Sequence, residues 1–299
     1  MNHPITEFLD MELLARLPSL ELRARLLVEG FLAGLHRSPQ KGSSVEFMEY
    51  RDYQQGDEPK IIDWKTYART DRLHVRLHEE ETNMRVYILL DKSASMNYRG
   101  SDALMTKWDY ARSLAAALLL FLHRQRDSAA LGFAGGGLEG FMRGEGSKSA
   151  HMHSMISMLY RDADSTQSNL AAAIGELSCG VKRRSIVIVI SDFYESAVKL
   201  KAALKKISYE KCETLLFHIL DPAEINFDFK DAGIFTELET GAELLISPDL
   251  IRKKYRNAMS EHIADIQSAA RSLPGDSLLL PTNTPPLKAL GLYLARRGT

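Results

Sequence analysis

Val86-Tyr87-Ile88-Leu89-Leu90-Asp91-Lys92-Ser93-Ala94-Ser95-Met96 decides how the chain is read: five apolar residues in a row, then an abrupt change to acid, base and hydroxyl. A continuous apolar run of this length fits a strand covered on both faces, as strands of parallel sheets are. The pattern returns at Ser185 to Ile190, followed by Ser191-Asp192-Phe193, and again at Thr214 to Leu220. Between these runs the apolar spacing becomes helical, over Lys107 to Arg124, Ser149 to Tyr160, Leu170 to Leu177 and about Glu195 to Ile207, with a further strand at Ala129 to Ala134. Strand, helix, strand in this order requires right-handed crossovers, so the expected fold is α/β with a doubly wound, mainly parallel sheet.

Outward from that core the rhythm changes. Leu73, Val75 and Leu77 alternate like a half-buried strand, whereas Ser38 to Asp71 is irregular and rich in Gly, Pro, Asp and aromatic residues, as in a structured loop region. Thr6 to Leu35 carries Leu13, Leu14, Leu17, Leu22, Leu26, Leu27 and Phe31 at helical spacing broken near Pro18, which predicts two amphipathic helices in need of a surface. Towards the other end, Ile234 to Ile246 reads as a β-hairpin inserted beside the sheet, with Glu239-Thr240-Gly241 at its turn. A long helix over Pro248 to Leu273, a strand at Ser277 to Leu280 and a helix over Pro286 to Arg297 close the chain. The division expected is an N-terminal extension, residues 1–83, packed on a core of residues 84–299.

Composition excludes several classes. With 45% hydrophobic and 26% charged residues among 299, the chain is globular, and 38 Lys plus Arg against 39 Asp plus Glu leaves no basic excess to track nucleic acid. Lys182 to Arg184 and Arg252 to Lys254 read as solvated helix faces or ends. Cys179 and Cys212 lack metal-ligand spacing and read as small buried residues. Met1 to Leu20 carries Glu7, Asp10 and Glu12 where a signal peptide is basic and then apolar, and Leu114 to Leu122 and Ile186 to Ile190 are too short to span a bilayer. The expectation is a cytoplasmic protein without membrane insertion.

In a doubly wound sheet ligands bind beyond the carboxyl ends of the strands, so the polar residues there come first. Asp91 and Asp192 stand at two such ends, with Ser93 and Ser95 after the first, and Ser165-Thr166-Gln167-Ser168-Asn169 offers hydroxyls ahead of a helix. Mg²⁺ takes octahedral oxygen ligands, sheds water reluctantly and is held by one or two carboxylates with water and an outside ligand. Asp91 and Asp192 would bring the charge, and Ser93, Ser95 and Ser168 neutral oxygens, leaving Mg²⁺ (or Mn²⁺ or Ca²⁺) attractive to a carboxylate of a protein partner. The plainer readings are strand-end caps for the aspartates, a helix N-cap for Ser168 and turn-shaping for Ser93 and Ser95.

Asp-x-Ser-x-Ser after a strand, a Ser or Thr ahead of a helix and an Asp after a later strand together resemble the metal-ion-dependent adhesion site of von Willebrand A and integrin I domains. Ser168-Asn169-Leu170 matches the family's Thr-polar-Leu/Ile spacing with Ser for Thr; Thr166 has the family's chemistry in another register. A second resemblance runs through Arg51-Asp52-Tyr53-Gln54-Gln55-Gly56-Asp57, Ile62-Asp63-Trp64 and Ala68-Arg69 into the metal motif. This is similar to the bacterial family called domain of unknown function fifty-eight, with Lys60 where that family commonly has Arg. The resemblance implies a non-enzymatic module working beside a MoxR-type AAA+ ATPase in chaperone-like complex assembly. Arg51, Tyr53, Gly56, Asp57, Asp63, Trp64 and Arg69 read foremost as a structural network of ion pairs and aromatic packing.

Enzyme readings lack residues. A haloacid dehalogenase-type phosphatase has a second Asp where Ser93 stands, and a serine hydrolase has glycines around its nucleophile that Ser93 and Ser95 lack. Phosphotransfer to Asp91, with Lys92 and Asp192 near it, is the enzymatic alternative, and a scaffold with a vestigial metal site the structural one. His151-x-His153 falls on a helix, and the glycines from Gly135 to Gly146 lack a nucleotide loop's Lys-Ser/Thr, reading instead as a hairpin and a surface turn.

Overall fold

The computed structural model describes residues 11–37, 50–53, 64, 67, 73–76, 84–144, 148–163, 169–229, 233–236, 238 and 241–297. In chain order these form α1 (Met11–Arg16), α2 (Leu20–Arg37), β1 (Tyr50–Asp52), β2 (His74–Arg76), β3 (Arg85–Asp91), a 3₁₀ turn (Ala94–Asn97), α3 (Lys107–Arg124), β4 (Ser128–Ala134), β5 (Leu138–Arg143), α4 (Ser149–Met158) and α5 (Leu170–Ser178). Then come β6 (Ile186–Ser191), α6 (Ala197–Tyr209), β7 (Glu213–Leu220), α7 (Pro222–Asn226), β8 (Gly233–Thr236), β9 (Glu243–Ile246), α8 (Pro248–Arg271), β10 (Gly275–Pro281) and α9 (Leu287–Arg297). They divide into two compact units, Met1–Gly34 with Met84–Thr299, and Leu35–Asn83. In the second unit β1 and β2 pair antiparallel, Tyr50 opposite Arg76.

The first unit is built on a six-stranded sheet in the order β10-β7-β6-β3-β4-β5, parallel except for β5. This is the expected doubly wound, mainly parallel α/β sheet. Its strands are apolar throughout because both faces are covered, and successive side chains point to opposite faces. Val86, Ile88 and Leu90 of β3 join Ile186, Ile188 and Ile190 of β6 in one cluster, packed under α1, α2, α3, α4 and α9. Tyr87 and Leu89, with Val187 and Val189, face the other cluster, under α5, α6 and α8. The amino-terminal helices thus find their surface on the sheet's first face: Leu14, Leu27 and Phe31 are buried there, and Phe31 meets Phe121 edge-on at 5.8 Å.

As expected, the glycines after β4 turn a hairpin, whose second strand β5 pairs antiparallel with β4 at the sheet edge across a bulge between Leu131 and Phe133. Two details depart from expectation. α7 is a single turn closed by a capping box, with Asp221 and Glu224 each satisfying the other's backbone amide and Pro222 opening the helix. Cys179 is exposed rather than buried, because it is the residue just past the end of α5; Cys212 is buried as expected. The β8–β9 hairpin stands as its own two-stranded antiparallel sheet.

Candidate functional site at the carboxyl ends of β3 and β6

Strands β3 and β6 are hydrogen-bonded neighbours in register from Val86 opposite Ile186 to Leu90 opposite Ile190, so Asp91 and Asp192 leave the sheet side by side. Both carboxylates are buried. Asp91 closes a tight turn, its Oδ1 accepting from the Ser93 amide at 2.9 Å, while its Oδ2 accepts from the Ser191 hydroxyl at 2.7 Å. Ser191 in turn accepts the Phe193 amide at 2.8 Å, which turns the chain sharply after Asp192. The Ser93 and Ser95 hydroxyl oxygens lie 3.0 Å apart, Ser93 also bonds Asp91 and Ser95 bonds Asp192. Two carboxylates and two hydroxyls therefore form one connected group. Ser95, half-buried, is its member nearest to solvent.

The electrostatics of the two acids differ. Burial, and then the neighbouring Asp192 charge, push the Asp91 carboxyl up to about 6. Burial pushes Asp192 upward most strongly, but the ammonium of Lys107, together with hydrogen bonds from Ser95 and the Tyr194 amide, holds Asp192 below the usual carboxylate range. Lys107 opens α3 after the N-cap Thr106, and its side chain is wholly inaccessible, 0% exposed. Its Nζ donates to Asp192 Oδ2 and to Glu224 Oε1, each at 2.7 Å. These two acids outweigh the desolvation that would lower its pKa, and the ammonium is raised above its ordinary value. The rings of Tyr194 and Tyr98 flank it, with centroids 5.0 and 5.9 Å from Nζ.

Of the residues singled out from sequence, Asp91, Ser93, Ser95 and Asp192 come together. Ser168 and Thr166 lie outside the described residues, but the N-cap of α5 is Asn169, not Ser168: its side-chain oxygen accepts the Ala172 amide at 3.1 Å. Gly56, Asp57, Asp63 and Arg69 also lie outside the described residues. Arg51 is in β1, Tyr53 donates its amide to the Leu73 carbonyl at 2.9 Å, and Trp64 is 58% exposed with Tyr67 edge-on to it at 6.1 Å. Lys92, the cation of the phosphotransfer reading, pairs with Glu139 at 2.7 Å. Sequence reading missed Ser191, Lys107 and Glu224. Two signals pointed to Lys107 and Glu224: a lysine in the first turn of a helix, where the macrodipole disfavours a cation, and the Asp221-Pro222-Ala223-Glu224 capping sequence.

Among the described residues no three of His, Cys, Asp and Glu converge as metal ligands, and no helix is long and apolar enough to cross a membrane. An uncharacterized protein of Mycobacterium tuberculosis is 28% identical over 302 residues, covering 96% of this chain and 90% of its own length. The fold is similar to that of an aerotolerance-related membrane protein from Bacteroides fragilis, at a TM-score of 0.50 and 16% identity, over 71% of this chain and 99% of that one. The VWA domain of SpRpn10 aligns at a TM-score of 0.40 and 12% identity, over 69% of this chain and 93% of that domain. Together with the strand-end motif and the arginine-tyrosine-glycine-aspartate segment before it, the match of residues 49–265 to the family model described as Protein of unknown function DUF58 establishes that the chain belongs to that family.

Proposed function

We propose that this chain is a non-enzymatic protein-binding module that holds a divalent cation, Mg²⁺ before Mn²⁺ or Ca²⁺, between Asp91 and Asp192 and uses it to grip a carboxylate of a protein partner. The observation that carries the reading is the single hydrogen-bonded group of Asp91, Ser93, Ser95 and Asp192 at the ends of adjacent strands. The donor set fits: all its side-chain donors are hard oxygens, and two buried acids repel one another until a cation lies between them. Asp91 and Asp192 would hold the ion, directly or through water, and the hydroxyls of Ser93 and Ser95 would complete the protein's share, with Ser168 a further candidate. A cation held this way, with neutral hydroxyls and water as its other ligands, keeps a coordination position for an outside carboxylate. Asp91 is positioned for this by Ser191 and the Ser93 amide, and Asp192 by Lys107.

The partner we propose is a MoxR-type AAA+ ATPase in a cytoplasmic system for chaperone-like complex assembly; this rests on family resemblance. The test has two parts. Mg²⁺ is expected to raise the melting temperature of the wild-type chain and to leave Asp91→Ala unmoved; a wild type indifferent to Mg²⁺ and Mn²⁺ overturns the metal reading. An AAA+ ATPase of this class is expected to co-purify with the wild type and to be lost with chelator or with Asp91→Ala. Retention under both conditions would show a contact that bypasses the cation.

A further inference from the structure

We infer, building on the metal reading above, that Lys107 is an internal stand-in for the divalent cation: it holds Asp192 in place when the ion is away, and by competing for that carboxylate it keeps the ion weakly bound until a partner's carboxylate joins. Three observations lead there. Lys107 is the only buried lysine among the described residues, it has no solvent contact, and its ammonium touches a carboxylate of the candidate metal site. It occupies the first turn of α3, where a positive charge opposes the helix macrodipole, so the placement is unfavourable unless other charges compensate. Finally, Lys107 pairs with Asp192 and Glu224 while Asp91 lies close enough to Asp192 to feel its charge, so one ammonium stands against three carboxylates and leaves the group negative.

A buried ion pair is by itself weak evidence of stabilisation, since desolvation offsets much of the attraction. Its location is what gives it a second role. Two cations drawing on one carboxylate lower each other's affinity, and reciprocally so. Lys107 takes Asp192 Oδ2 at 2.7 Å, while Oδ1 has a long contact of 3.4 Å from the Tyr194 amide; the Ser95 hydroxyl also bonds this carboxylate. The weakly bonded Oδ1 thus remains for the divalent ion, and the ammonium on Oδ2 sets how strongly that ion is held. Glu224 anchors the ammonium from α7, so the lysine cannot swing out of the site without breaking a second ion pair.

The experiment compares the full-length wild type with the double variant Lys107→Met/Glu224→Gln, which removes one positive and one negative charge at nearly constant volume. Mg²⁺ is titrated calorimetrically, and melting temperatures are read in chelator and in saturating Mg²⁺. The double variant is expected to bind Mg²⁺ with a Kd lower by about tenfold or more, because the ammonium removed sits directly on an ion-holding carboxylate, whereas the Glu224 charge removed with it is paired to the ammonium instead. It is also expected to melt lower than wild type in chelator and to gain more from Mg²⁺. A merely structural pair would lower both melting temperatures equally and leave Kd unchanged; that result, or weaker binding by the variant, overturns the role of Lys107 while wild-type binding leaves the metal reading standing. Absence of Mg²⁺ binding by both proteins overturns both. Should the double variant not fold in chelator, rescue of its refolding by Mg²⁺ supports the inference and failure of rescue overturns it.

Discussion

Phe193 has φ +54, a left-handed conformation rare for a bulky residue and costly by about 1 to 2 kcal/mol. The strain is held by its surroundings: the Ser191 hydroxyl accepts the Phe193 amide while donating to Asp91 Oδ2, and the His218 ring packs edge-on to Phe193 at 5.5 Å. One hydroxyl thus fixes the turn after β6 and the carboxylate at the end of β3. Ser191→Ala leaves two buried polar groups without this partner and is expected to destabilise the chain by about 2 to 4 kcal/mol. Urea unfolding measures this. A loss below about 1 kcal/mol would show that water or a shifted backbone replaces the hydroxyl without cost. In sequence Ser191 looked like one more strand-end serine; its role depends on Asp91, which is 100 residues away in the chain and 2.7 Å away in space.

At the scale of elements, the start of α5 shows how a helix terminus is supported near the site. Asn169 caps the Ala172 amide at 3.1 Å, and Glu195, from the loop after β6, accepts the Ala171 amide at 2.9 Å. Two of the helix's unpaired donors are satisfied, one by the adjoining residue and one from the loop after β6, and the Glu195 charge suits the positive end of the helix. Asn169→Ala is expected to cost about 1 kcal/mol, and Glu195→Gln less than that. Thermal denaturation of the two variants checks the order, and a larger loss for Glu195→Gln would reverse the assignment. Long helices were legible from apolar spacing, α3 to its two ends at Lys107 and Arg124. The hairpin leading into β5 was legible from its glycines, but the extent of β5 was not, because Leu138-Glu139-Gly140-Phe141-Met142-Arg143 is an edge with a glycine and without clean alternation.

At the scale of the whole molecule, one layer of the core is completed by the amino-terminal helices. Phe31 packs against Phe121, which packs edge-on to Tyr293 at 6.2 Å, and the Tyr293 hydroxyl donates to the buried Asp127 at 2.8 Å. Residues from α2, α3 and α9 thus meet over one face of the sheet, and their stabilities are shared. Phe31→Ala is expected to cost about 3 to 5 kcal/mol by opening a cavity in that layer. Chemical denaturation with fluorescence and far-ultraviolet dichroism measured together would show one coincident transition shifted to lower denaturant. Two separate transitions would mean that α1 and α2 unfold independently of the sheet.

Hydrophobic period and the change to polar residues at strand ends are local properties of the chain, so the sequence alone determined the α/β class, the alternation of the core strands and long helices, the strand-end positions of Asp91 and Asp192, and the family. The order of the strands is not local. That β3 and β6 are neighbours, and so bring two acids into mutual repulsion, was decided by how the crossovers pack. The same holds for Lys107, joined to Asp192 and Glu224 across 85 and 117 residues. Burial removes the water that would screen such charges, and only in the folded interior do these separations become energies large enough to fix a site.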